Sequence, residues 1–260
     1  MLKRFFADLK EYRFFCVYMA RACLRAEVAN SYLNWIWWVL EPLCSMLVYY
    51  AIFAGILGRD RSFYVVFVYV GTLCWSYFER CMLYAVQAVR LNRDIVTKTY
   101  VPKPVLLLSN ILFNSFKMLF SIGILAVLMA VQRVPVTVSW LGVLPALAEL
   151  VLLTFGCGLL FMHFGVFVDD LSHALRILLR ILFYLTGVFY DLEAVLPSPW
   201  GRLMICLNPV ACVLHALRGS LLDARMPGPE TAVWFLLSCT LCLAGLALSY
   251  RYENTYVKVI

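Results

Sequence analysis

Long apolar runs alternate with short polar ones along almost the whole chain. Stretches of about 20 or more mostly apolar residues, each long enough to cross a bilayer core as a helix, fall near residues 35–57, 63–89, 105–131, 141–168 and 231–250, with a fifth in chain order ending near Tyr190. The polar segments between them are 58–62, 90–104, 132–140 and 169–176. Residues 191–230 form the longest non-spanning region, broken by Pro197, Pro199, Pro209, Pro227 and Pro229, yet much of 203–222 stays apolar. Such a segment reads as short re-entrant helices dipping into the outer leaflet, where protein or water satisfies the backbone. Ahead of the first span, residues 4–30 mix Phe5, Phe6, Leu9, Phe14, Phe15, Tyr18, Met19 and Leu24 with basic residues, the pattern of a helix lying flat in the headgroup region. Trp35, Trp37 and Trp38 then mark the membrane interface. The expected fold is all-α and polytopic: an amphipathic interface helix within 1–34, then a six-helix transmembrane domain over 35–260.

Composition agrees with this pattern and excludes a soluble domain. Of 260 residues, 64% are hydrophobic and 14% charged, against about 25% charged in soluble domains. The first 25 residues spread Lys3, Arg4, Lys10, Arg13, Arg21 and Arg25 with no apolar core or cleavage site, unlike a removable signal peptide. The net charge of +7 does not point to nucleic acid, because the basic residues cluster beside the apolar spans, where they bias orientation. With an even number of spans both ends share one side, and that side carries fourteen lysines and arginines. The other carries six: Arg59, Arg61, Arg133, Arg202, Arg218 and Arg225. Both termini are therefore expected in the cytoplasm, and the protein in the cytoplasmic membrane.

Chemistry-bearing motifs are sparse. There is no G-x-x-x-x-G-K-[ST] phosphate loop, no HExxH and no GxSxG, and His163, His173 and His215 are scattered. No catalytic residue, metal site or cofactor site is expected in this chain. Most of the ten cysteines sit in apolar helices as small fillers, including the CxxC-spaced Cys239 and Cys242. Cys206 and Cys212 fall in the external region, where a disulfide is possible but not required. Glu79, Arg80 and Lys117 lie at membrane depth, where an isolated charge costs on the order of 2.5–3.5 kcal/mol. An internal pair such as Glu79 with Lys117 is one reading, and direct substrate contact the other. Tyr49, Tyr50 and Phe53 in the first span and Phe183, Tyr184, Phe189 and Tyr190 in the fifth put aromatics toward the outer half of two spans. Sugar rings stack on such faces, although membrane aromatics also serve as packing. In the loop 90–104, Asn92 to Thr99 is helix-compatible and Pro102 and Pro104 stop it, giving either a docking helix or a solvated connector.

Four strings, SYLNWIWWVLEP (31–42), NRDIVTKTYVPKP (92–104), VDDLSHALRILLRILFYLTGVFY (168–190) and LNPVACVLHALRGSLL (207–222), resemble the membrane subunit of type-two ABC exporters of cell-surface polysaccharide, the group of O-antigen, capsule and teichoic-acid exporters. The likeness covers nearly the whole chain. It implies a homodimeric permease that moves a lipid-linked glycan outward across the inner membrane of a bacterium. Two copies of a separate nucleotide-binding ATPase would hold the ATP and magnesium. By position it implies a coupling helix at 92–99 with Arg93, Asp94 and Lys98 toward the ATPase, and external gate helices within 191–230 that include Trp200, Asn208 and Pro209. The first and fifth spans would line the path. Two departures stand out: Asn34 replaces a usual glycine, and Gly187 with Val188 replaces a proline-containing turn, which would leave the fifth span less kinked. An ABC exporter of lipids, drugs or small peptides shares the six-span plan. A membrane-embedded enzyme would need clustered acidic or histidine residues at one face, which the sequence does not offer.

Overall fold

The computed structural model describes residues 2–29, 36–52 and 63–259, and among these the regular structure is all helical, with no strand. The N-terminal segment is two helices rather than one, α1 (Leu2–Glu11) and α2 (Arg13–Ala29), bent at Tyr12. Polar and apolar residues segregate strongly on α1, which buries no residue. α2 does not stay beside it: Cys16 packs at the Val105 carbonyl, and the Lys117 Nζ lies 2.6 Å from Glu27. Those two contacts are about three turns apart on each helix, so α2 runs parallel to α7 (Lys103–Val131) instead of lying flat along its whole length.

The core is built around α4 (Tyr64–Ala85), which packs against α3 (Ile36–Tyr50), α7, α8 (Val143–Phe167), α9 (Leu171–Leu185) and α12 (Pro209–Leu222). It carries apolar and aromatic residues on every face and buries most of them, with Val66, Val68, Tyr69 and Cys81 fully enclosed. The most extensive pair is α8 with α13 (Pro229–Arg251). Gly156 and Gly245 allow this approach: a methyl group on Gly245 would come within 2.5 Å of the Leu159 Cβ, and one on Gly156 within 3.0 Å of the Cys242 backbone nitrogen.

Among the described residues, three helical segments are long and apolar enough to cross a membrane: Lys103–Val131, Val138–Phe167 and Pro229–Arg251. They coincide with the third, fourth and sixth spans read from the sequence. α11 (Trp200–Leu207) and α12 together would make a fourth, but they meet at 108°. α4 has the length, yet Glu79 and Arg80 interrupt it. α3 and α9 are 15 residues each, about 22 Å. α9 stops at Leu185 instead of reaching Tyr190, because the chain turns at Gly187 with φ +69°, a conformation that suits glycine. The last five residues of the expected first span, 53–57, lie outside the described residues, Phe53 among them, as do Asn34 and the 58–62 loop.

Both chain ends meet at one end of the bundle. Arg4 pairs with Glu253 of α14 (Glu253–Val259) at 2.7 Å and donates to the Tyr100 hydroxyl at 2.7 Å, joining α1, α14 and the connection into α7. At the opposite end Ser139 donates to the Ser220 carbonyl and Tyr64 to that of Phe189. All ten cysteines are free. Cys206 is exposed on α11 and Cys212 buried on α12, on either side of the 108° bend, so this pair forms no disulfide. Cys242 packs its sulfur at the Leu152 carbonyl, consistent with a filler.

Candidate functional site

A cavity of about 430 Å³ opens between α3, α4 and α9. Its residues follow helical spacing. On α4, Thr72, Trp75, Ser76 and Glu79 recur at three- and four-residue intervals. On α9, Arg176, Arg180, Phe183 and Tyr184 do the same, so each set shares one face. α3 adds Glu41, Ser45 and Tyr49. The cavity is thus divided along its length, with Glu41, Glu79, Arg176 and Arg180 toward the end where the termini meet and the rings of Tyr49, Trp75, Phe183 and Tyr184 toward the other, where Thr72 joins them.

The aromatic part is a packed cluster. Tyr49 stacks on Phe189 with centroids 5.4 Å apart and lies 5.8 Å from Phe183, which in turn meets Trp75 at 5.6 Å. Tyr184 remains 57% exposed on the cavity wall. Of the aromatics read from the sequence, Tyr49, Phe183 and Tyr184 line this space and Phe189 is buried behind them as their support. Tyr50 turns instead toward Tyr64. Tyr190 lines a separate polar cavity of about 360 Å³ that also involves Asp191, His215 and Arg218.

The charges at membrane depth are paired, but not as expected. Lys117 pairs with Glu27 of α2, and Arg80 with Glu41 of α3 at 2.8 Å, while Glu79 accepts a hydrogen bond from the Trp75 indole at 2.9 Å. The Glu79 and Lys117 pair is therefore not formed: Glu79 faces the cavity, whereas Lys117 faces α2 and sits over the rings of Trp38 and Phe113. A carboxylate outside the expected spans supplies the countercharge.

Sequence reasoning missed three features. Arg176 and Arg180 counted only as orientation charges, although their spacing with Phe183 and Tyr184 marks a common face. Arg218, assigned to an external segment, is 7% exposed. Its guanidinium donates to the carbonyls of Phe67 (3.2 Å), Gly187 (2.8 Å) and Val188 (2.5 Å) and lies 3.5 Å from the centroid of Phe67. Glu149, enclosed on α8, keeps one oxygen with no hydrogen-bond partner among the described residues; as the single charged residue of the apolar run 141–168 it carried the same signal as Glu79, Arg80 and Lys117.

At the end with the termini, α5 (Ala88–Leu91) and α6 (Arg93–Lys98) fill the polar loop. Val96 anchors α6 while Arg93, Asp94 and Lys98 all point outward, exposed. Arg90 ties the loop to α8 by donating to the Val166 carbonyl and pairing with Asp169. At the far end, α10 (Leu192–Val195) and α11 precede the bend. Asn208 caps α12 by accepting from the Val210 and Ala211 amides at 3.1 and 3.3 Å, and donates to Thr186 at 2.9 Å. Pro209 occupies the first turn of α12, where its missing N–H costs nothing. Trp200 is exposed.

This arrangement can be set beside known proteins. The chain is 23% identical over 238 residues to the O-antigen export system permease protein RfbA of Klebsiella pneumoniae, covering 91% of each chain. It is 28% identical over 230 residues to the protein of the same name in Myxococcus xanthus, covering 87% of each. Against the polysialic acid transport protein KpsM of Escherichia coli the identity is 25% over 210 residues, covering 79% of this chain and 78% of that one. Residues 15–222, most of the sequence and every element that builds the cavity, match the ABC-2 type transporter family, and the chain belongs to that family.

Proposed function

We propose that this chain is the path-forming transmembrane subunit of an ATP-driven exporter, which moves a lipid-linked polysaccharide or polyol-phosphate polymer across the cytoplasmic membrane of a bacterium. The observation that carries the reading is the cavity between α3, α4 and α9. A sugar ring offers an apolar face that stacks on Tyr49, Phe183 or Tyr184, and hydroxyls that exchange hydrogen bonds with Ser45, Thr72, Ser76 and Glu79. Contacts of this kind are individually weak and repeat along a polymer, which suits passage rather than tight binding. The names of the relatives, O-antigen export and polysialic acid transport, support the same class of cargo.

In this reading α3, α4, α7, α8, α9 and α13 are the six spans, and both termini lie in the cytoplasm. α1 forms the interface segment, and α2 leads from it along α7. Two copies of the chain make a homodimer whose α3 and α9 helices face each other across the path. Two copies of an ABC ATPase bind on the cytoplasmic side and hold the ATP and magnesium; this chain is a permease and not an enzyme. α6 is the coupling helix, with Arg93, Asp94 and Lys98 docked on the ATPase. Closure of the ATPase pair pushes α6, and the Arg90 contacts to Val166 and Asp169 carry the push into α8 and the start of α9. The two halves then separate, opening the aromatic wall toward α10, α11 and the bend at Asn208 and Pro209, which with Trp200 form the external gate.

Charge reversal at the docking helix tests the reading. The triple variant R93E/D94K/K98E, purified with its partner, should retain basal ATP hydrolysis or lose the partner, and in either case fail to display glycan at the cell surface. Normal coupling of hydrolysis to export in that variant would refute the docking assignment.

A further inference from the structure

A third cavity, of about 560 Å³, lies on another side of α4, between α7, α8 and α12. Its size is in the range of pockets that enclose small ligands, roughly 300–1,000 Å³. Leu73, Leu125, Met129, Leu147, Leu217 and Leu221 give it an apolar interior. The small Ala126 and Ala130, one turn apart on the exposed face of α7, leave its side open. Polar character is confined to one end, where Arg133 and Trp140 join the lining.

The charge at that end points to a bound anion. Arg133 is exposed, forms no ion pair among the described residues, and has φ +54° at the C-terminal cap of α7. The Arg133 amide bonds the Ala130 carbonyl and the Val134 amide that of Met129, a closing turn in which glycine is the least strained residue. The sequence keeps a guanidinium there at the expense of the backbone.

We propose that this cavity holds an acyl chain of an anionic glycerophospholipid from the leaflet at that end of the bundle, with the lipid phosphate at the Arg133 guanidinium. The phosphate accepts from that guanidinium and supplies the missing countercharge, and the apolar interior receives the chain. A second copy of the protein fits less well: a twofold interface through this face would bring two Arg133 side chains together. The proposal does not depend on what the protein exports.

Native mass spectrometry of the purified full chain, titrated with 1-palmitoyl-2-oleoyl phosphatidylglycerol or with the phosphatidylcholine of the same chains, tests it. Wild type should retain phosphatidylglycerol with a preference on the order of tenfold. R133Q should lose the preference while still retaining lipid, and A126F, which fills the open side, should retain neither. Equal retention of the two lipids by wild type, or full retention by A126F, would overturn the proposal. So would cross-linking of two A126C chains to each other, which would assign the face to a second copy. Should A126F fail to fold, R133Q, altered at an exposed side chain, decides alone.

Discussion

Replacing Arg218 with methionine removes a single side chain that ties three elements together. The guanidinium donates to the carbonyls of Phe67 on α4 and of Gly187 and Val188 after α9, and lies against the Phe67 ring. Each hydrogen bond from a charged donor contributes about 1.5–3 kcal/mol, and the ring contact about 1–2. One side chain makes all of them, so they do not add fully, and the methionine recovers some packing; a loss of about 4 kcal/mol is expected. At this chain length that lowers the melting temperature of the detergent-purified protein by roughly 10 °C. Lysine should not restore it, because a single ammonium cannot span three carbonyls on two elements. Gly71 gives an independent check: a methyl group there would overlap both the Arg218 guanidinium and the Val188 carbonyl, so G71A should reproduce much of the loss. The turn held by Arg218 also sets Phe189 beneath Tyr49, so R218K should export less than its stability alone explains. A melting temperature for R218M within about 2 °C of wild type would refute the argument.

The pair in the membrane makes a double-mutant cycle. E27Q leaves the enclosed Lys117 without its carboxylate and should destabilise by about 1–2 kcal/mol, less than for a fully enclosed pair because the Glu27 side chain is 42% exposed, whereas K117M/E27Q should recover most of that in the same thermal melts. N208A removes the α12 cap and the bond to Thr186, and should cost about 1–2 kcal/mol by chemical denaturation, with proteolysis appearing first near the bend. Y49A and F183A should reduce glycan display at normal expression while basal ATP hydrolysis by the complex persists; Y50A, whose ring faces Tyr64, should reduce it less.

What could be read from the sequence follows physical range. Apolar length is a local property, so α7, α8 and α13 fall where the hydropathy pattern puts them. The outward side chains of α6 follow from a short charged segment between two constraints, a span on one side and Pro102 and Pro104 on the other. Pairing across the fold is not local. Nothing near Lys117 in the sequence says that Glu27, 90 residues away, is its partner, because the answer depends on α2 bending at Tyr12 and following α7. Arg218 is hidden for a related reason: on an apolar helix one arginine looks like a surface charge until three carbonyls from elsewhere surround it. In the cavity, the aromatics of α9 were visible as a class, but which of them face inward is set by the early end of the helix at Leu185 and the turn at Gly187.

The central claim is that this chain encloses a path for a glycan and takes its work from a separate ATPase. The most direct measurement is ATP hydrolysis by the purified complex in proteoliposomes, with and without lipid-linked glycan, alongside glycan appearance on the far face. The account predicts hydrolysis stimulated by the glycan and transport that stops when the ATPase is omitted. Uphill movement by this chain alone, or stimulation by small apolar drugs but not by glycan, would contradict it.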